Sequence, residues 1–285
     1  MRKACLFIIL LFVSTLSVAQ TSLWKISRGD KHLYLGGTIH MLSQSDYPLP
    51  QAFDKAYELS AAVVFETDIA GSASPEFQQH MMRKLTYQDG RTLKTVLRPA
   101  TYQALSEHSA KTGLPLANLQ TFRPGMLAIT LTLMELQRLG MGGAGVDQFY
   151  SSKARIDGKS IKQFESLDEQ LGFLINMGQG QEDELIMQTL DDIKQLASKM
   201  NEIKSAWRSG NSQQLAEITQ KDLKDRFPGV FNSLIVERNN NWMPKLEAML
   251  ATAEVELVLV GVAHLVGDAG MIRQLREKGY KIEQW

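Results

Sequence analysis

Two apolar runs, Ala61-Ala62-Val63-Val64-Phe65 and Val255-Glu256-Leu257-Val258-Leu259-Val260, constrain the fold of this chain more than any other feature. Neither shows the alternation with polar residues that a strand with one wet face requires. Such runs belong to strands covered on both faces, as in a sheet flanked by helices. Each stops abruptly, Phe65 giving way to Glu66 and Val260 to Gly261. Leu33-Tyr34-Leu35 leads into Gly36-Gly37 as a third strand, Ile161-Lys162-Gln163-Phe164 is a shorter fourth, and Gly279 to Glu283 is a terminal one. Trp24 and Ile26 alternate with polar residues in an opening strand that the turn Arg28-Gly29-Asp30 folds back onto Leu33 to Leu35.

Between Phe65 and Val255 lies a long, mainly helical stretch. Pro99 to Lys111, Pro124 to Leu139, Leu167 to Met177, Glu182 to Ser209 and Phe231 to Ala251 carry apolar residues at three- and four-residue spacing. Asn211-Ser212 and Phe227-Pro228-Gly229 are stop signals for such helices. The pattern predicts one α/β domain over residues 20–285, a central mixed β-sheet flanked by helices with a large helical insertion. No linker divides it.

The first residues read as a targeting segment. Arg2 and Lys3 precede an unbroken apolar run from Leu6 to Val13, and Ser17-Val18-Ala19 places small residues where a signal peptidase cuts, so residues 1–19 are expected to be a signal peptide and Gln20 the mature terminus. The apolar run is shorter than the ~20 residues a membrane span requires, so no transmembrane anchor is expected after cleavage. A periplasmic or secreted location follows. Cleavage also removes Cys5, the only cysteine, and leaves any metal site to nitrogen and oxygen ligands. With 31 basic and 31 acidic residues in the whole chain, there is no basic field of the kind that binds nucleic acid.

The residues able to carry chemistry sit at strand ends. Gly37-Thr38-Ile39-His40 and Gly261-Val262-Ala263-His264 are matching tetrapeptides near opposite ends of the chain, each following an apolar strand. In open α/β sheets the carboxyl edge of the strands is where ligands bind, and glycine lets other groups approach the backbone there. Either histidine alone is an ordinary turn residue; the repetition in one context argues for a site. Glu66 ends a third strand at the equivalent point and Glu165, in Phe164-Glu165-Ser166, a fourth, with Ser166 and Asp168 available to cap the following helix. His40, His264, Glu66 and Glu165 together would suit zinc, manganese or another first-row divalent ion with an open position for water. Such an ion would activate the water, and a free glutamate would accept its proton. His32, His80 and His108 have polar neighbours and read as surface histidines, and the methionines fall at helical spacing as core filler.

These motifs, with Gly145-Val146-Asp147, Phe164-Glu165-Ser166, Arg238-Asn239-Asn240-Asn241-Trp242 and Gly261-Val262-Ala263-His264-Leu265, resemble the TraB/PrgY/GumN family in order and spacing from Leu23 to Ile282. That family includes the Tiki metalloproteases and is more distantly related to erythromycin esterases and haem-binding ChaN-like proteins. The resemblance implies a hydrolase dependent on a divalent ion (Mn, Co or Zn), acting on a peptide or small-molecule substrate. His40, Glu66 and His264 would belong to the metal or catalytic centre with Glu165 beside them; Glu66 is favoured as a ligand and Glu165 as the base, and the reverse assignment of the two glutamates stays open. Arg238 and Asn239 would face the same pocket and steady an oxyanion; read without the family, Arg238 is a solvated helix charge. Asp147 is either a further member of the pocket or only the cap of the next helix. The other reading is a non-catalytic envelope protein that binds haem or a metal.

Overall fold

The computed structural model describes residues 20–285, so the expected signal peptide lies outside the described residues. Among the described residues eight strands form two sheets: β1 Leu23–Arg28, β2 Lys31–Thr38, β3 Met41–Leu42, β4 Ala62–Phe65, β5 Gly143–Ala144, β6 Ser160–Gln163, β7 Glu256–Gly261 and β8 Lys281–Gln284. The main sheet has the order β6-β4-β7-β2-β1-β8. Its four strands β6, β4, β7 and β2 are mutually parallel, whereas β1 runs antiparallel to β2 and to β8. The sheet is therefore mixed, as expected. Every residue of β4 and β7 is buried, Glu256 at the start of β7 included, as strands covered on both faces require.

The helices over Pro99–Thr112, Pro124–Arg138, Leu167–Ile175 and Glu182–Arg208 match the periodic segments to within a few residues. Asn211 caps a further helix, Ser212–Arg226, by accepting from the Gln214 amide. The stretch expected as one helix from Phe231 to Ala251 is instead α-helical over Pro228–Phe231, π-helical over Asn232–Glu237 and α-helical again over Arg238–Met249. Apolar spacing does not distinguish a π turn from an α turn over so short a length, and π turns recur at functional sites.

Two apolar cores result. One surrounds the sheet and includes Phe53, Phe65, Trp207 and Trp242. The other lies within the helical insertion, among Leu93, Leu105, Leu127, Ile186 and Phe227. Trp207, on the long helix Glu182–Arg208, donates its indole N–H to Gly37 O at 2.6 Å and ties that helix to β2. Among the described residues no helix is long and apolar enough to cross a membrane.

Candidate active site

Because β6, β4, β7 and β2 are adjacent and parallel, their carboxyl ends form one edge. Read across it, β6 leads to Glu165, β4 to Glu66, β7 to Gly261 and His264, and β2 to His40. A cleft of about 380 Å³ opens there, with Thr38, His40, Glu66, Thr67, Asp147 and Arg238 among its polar walls and Phe65, Ile69, Phe173, Leu174, Leu234 and Leu259 among its apolar ones. Glu165 and His264 do not line it. They reach it through Arg238.

Arg238 is only 8 % exposed, which excludes the solvated-charge reading. Its Nη2 donates to Glu66 Oε2 at 2.6 Å and to Glu165 Oε1 at 2.7 Å, and its Nε donates to Glu165 Oε2 at 3.2 Å. Nη1 donates to His264 Nε2 at 3.1 Å and lies 3.5 Å from Leu234 O. A guanidinium has five N–H donors, so this set leaves none for a ligand. One turn along the helix, Trp242 donates to Glu165 Oε2 at 3.1 Å, stacks on Phe164 with ring centroids 5.4 Å apart, and lies under the guanidinium. The turn after β6 is fixed independently: Ser166 accepts from the Glu169 amide and Glu169 accepts from the Ser166 amide, a capping box that settles which residue caps this helix.

Asn239 is fully buried and donates through Nδ2 to His264 O at 3.0 Å and Ala269 O at 2.9 Å. Its Oδ1 is thereby turned towards His264 Nδ1, 2.8 Å away, which must be the donor. His264 is the Nδ1–H tautomer, and its one lone pair, on Nε2, accepts from Arg238. Burial pushes its pKa down to about 3, so it is neutral near pH 7.

His40 is placed by a device that periodicity did not reveal. Directly after it β3 pairs antiparallel with β5, and Val146 N donates to Ile39 O at 3.1 Å. Any Cβ at Gly145 would overlap the His40 carbonyl, so glycine is required for this approach. The pairing brings Asp147 Oδ2 to 3.2 Å from His40 Nδ1. Asp147 thus belongs to the site and also stands in the first turn of the helix Val146–Ile156. Its charge raises the His40 pKa to about 9, although the imidazole stands at the cleft mouth with 59 % of its side chain exposed.

The two glutamates are driven apart. Burial pushes Glu66 up, but the neighbouring imidazoles, Arg238 and the Gly261 amide, which donates to Oε1 at 2.6 Å, outweigh it and hold the carboxyl at about 2. For Glu165 burial prevails over Arg238, and its pKa is raised.

The fit of a divalent ion can be judged from the donors. A Cβ at Gly261 would lie 3.1 Å from His40 Nε2 and 3.2 Å from Glu66 Oε1, so glycine keeps open a cradle between these two donors. His264 Nε2, 3.9 Å from Glu66 Oε1, is the natural third. Nitrogen and carboxylate donors of this kind suit zinc, manganese or cobalt. As the side chains stand, however, Arg238 engages the third donor, and among the described residues no three acidic or imidazole groups are arranged as a ready metal site.

The two motif glycines differ in role. Gly37 packs against Val262 of the other tetrapeptide, where a Cβ would come within 2.7 Å of Cγ2; only Gly261 borders the candidate ion position. Sequence reasoning gave no role to Thr38 and Thr67, whose hydroxyls are buried without a partner, as is Asp147 Oδ1. Thr38 lay inside the first tetrapeptide and Thr67 next to Glu66, so strand-end position was the available signal.

Comparison with known proteins matches residues 22–284 to the model of the TraB/PrgY/gumN family. The chain is also similar to the uncharacterized protein YbaP of Escherichia coli strain K12 and to that of Shigella flexneri. Each is 25 % identical over 250 residues, covering 87 % of this chain and 89 % of the relative. No solved structure matches the chain.

Proposed function

Given that the chain belongs to the TraB/PrgY/gumN family, we propose that the cleft is the active site of a hydrolase acting on a peptide or small-molecule acyl substrate, with manganese, cobalt or zinc held by His40, Glu66 and His264. The observation that carries this reading is where the unsatisfied polar atoms lie. Of five buried side-chain oxygens without a partner among the described residues, those of Thr38, Thr67 and Asp147 all belong to residues lining this cleft. Each costs about 1–3 kcal/mol when left unpaired, a cost that is relieved when the side chain turns onto a bound substrate or its water.

An ion at this place would supply an activated water and a polarised carbonyl. The protein's own groups then divide into those already engaged and those free to act. Asp147 Oδ2 accepts from His40 Nδ1–H and its charge favours the imidazolium, so an ion at His40 Nε2 would have to displace a proton there, whereas Asn239 holds His264 with Nε2 already unprotonated. Glu165 and Trp242 hold Arg238, and with both oxygens engaged Glu165 serves positioning, not proton transfer. Asp147 Oδ1, unpartnered, is the acceptor assigned to the proton leaving the water. Thr38 and Thr67 supply hydroxyl donors to the substrate oxygen, because Arg238 and Asn239 have none to spare. Phe173, Leu174 and Leu234 exclude water and accept an apolar group beside the scissile bond.

The test is a peptide and ester library assayed with and without a chelator. Asp147→Asn should lower turnover by a factor of about 10²–10⁴, the usual share of a general base, with the ion retained. Unchanged turnover in that variant would remove Asp147 from the reaction. The same proposal places the enzyme in the periplasm or outside the cell, and mass spectrometry should find mature chains that begin at Gln20. Chains retaining Met1 in the cytoplasm would contradict it.

A further inference from the structure

The contact between Arg238 and His264 has the geometry of a competitor in place. His264 has a single lone pair, because Asn239 fixes its proton on Nδ1, and Arg238 Nη1 takes that lone pair at 3.1 Å. The same guanidinium neutralises Glu66 and Glu165 through Nη2 and Nε. One fixed positive group therefore contacts the donors that a divalent ion on this side of the cleft would require. Its hold is unequal: two short charge-assisted bonds, at 2.6 and 2.7 Å, and a third at 3.2 Å run to the carboxylates, and one, to a neutral nitrogen, holds the imidazole. The helix carrying Arg238 starts directly after the π-helical segment Asn232–Glu237, where the backbone departs from regular α geometry.

Resting on the metal-dependent reading above, we propose that Arg238 is a tethered cation that competes with the divalent ion for His264, so that ion loading displaces Nη1 from His264 Nε2 and turns a freed N–H towards the substrate side of the cleft. The carboxylate bonds from Nη2 and Nε keep the guanidinium in the site while this happens. Arg238 thus links two events. Without the ion it satisfies buried charges that would otherwise be unpaired. With the ion it gains a donor for the substrate oxygen, the one capacity its saturated bonding now denies it.

Isothermal titration with Mn²⁺, Co²⁺ and Zn²⁺ tests this without any substrate. The variant is Arg238→Met combined with Glu165→Gln, which removes one positive and one negative charge together, so that a change in affinity does not reflect net charge alone. It should bind the ion at least about tenfold tighter than the wild type, and adding His264→Ala should abolish the gain. Equal or weaker binding by the double variant, or a gain that survives His264→Ala, overturns the proposal. Wild-type binding with no gain in the variant would leave the metal-dependent reading standing while this inference falls; binding by neither protein removes both. Should the double variant fail to fold, ¹⁵N NMR of wild-type protein titrated with Zn²⁺ serves instead. His264 Nε2 and the Arg238 side-chain nitrogens should shift together. A shift confined to His40, with Arg238 unmoved, contradicts the displacement.

Discussion

Asn239 Oδ1 and His264 Nδ1 lie 2.8 Å apart, and the direction of their hydrogen bond is set at the other end of the amide, where Nδ2 donates to the carbonyls of His264 and Ala269. A buried asparagine thereby dictates which nitrogen of a buried histidine keeps its lone pair. Long-range ¹H–¹⁵N NMR should show His264 as the Nδ1–H tautomer. Asn239→Ala would strand two carbonyls and an imidazole N–H, costing about 2–4 kcal/mol in chemical denaturation. A stability within 0.5 kcal/mol of the wild type, on the order of error for an exposed site, would mean that water replaces the amide.

Gly37 and Gly261 provide a paired contrast. At Gly261 the backbone is extended (φ −50°, ψ 133°), so alanine is tolerated conformationally, but its Cβ enters the cradle between His40 and Glu66. Gly261→Ala should therefore stay folded, at a cost of about 1–2 kcal/mol, and lose at least about tenfold in ion affinity and turnover. Gly37→Ala drives its Cβ into Val262 and should act the other way, chiefly on thermal stability. Equal effects of the two substitutions on turnover would mean that Gly261 has no special place at the site.

Asp46 governs a pH response outside the site. It accepts from the Ser43 amide at 2.8 Å and the Ser43 hydroxyl at 2.5 Å, and it pairs with Lys204 at 3.0 Å, pinning the segment after β3 to the long helix Glu182–Arg208. Burial pushes its carboxyl up, but the Ser43 and Lys204 bonds outweigh this and hold it below the ordinary value of 3.8. A pKa lowered by folding contributes stability that is present above the unfolded value and is lost as pH falls through the folded one. Asp46→Asn should thus cost about 1–3 kcal/mol at neutral pH, and its deficit should shrink below the unfolded pKa. A deficit independent of pH would assign the effect to packing.

The sheet was legible because its evidence is local: short, β-branched, largely apolar runs ended by a polar residue or glycine suit doubly covered strands, and β4 and β7 are buried throughout. Four strand-end residues, His40, Glu66, Glu165 and His264, were legible for the same reason, since parallel neighbours align their carboxyl ends. What stayed hidden depends on contacts distant in sequence. Asp147 could not be placed because a two-residue pairing of β3 with β5 brings it to His40, too short a signal for any periodicity. Arg238 carried the composition of a solvated helix face, Glu237 before it and three asparagines after it, and only the fold discloses that it is buried between two glutamates. Its saturation, and the free hydroxyls of Thr38 and Thr67, are matters of hydrogen-bond accounting that a sequence does not contain.

Whether His40, Glu66 and His264 hold a catalytic ion is decided by metal content and turnover measured together on wild type, His40→Ala, Glu66→Gln and His264→Ala. The wild type should bind one divalent ion per chain and hydrolyse a member of the peptide and ester library, and chelation should stop the reaction. His40→Ala and His264→Ala should lose ion and activity together, because each removes a nitrogen donor. Hydrolysis that persists in His264→Ala and resists chelation would contradict the account.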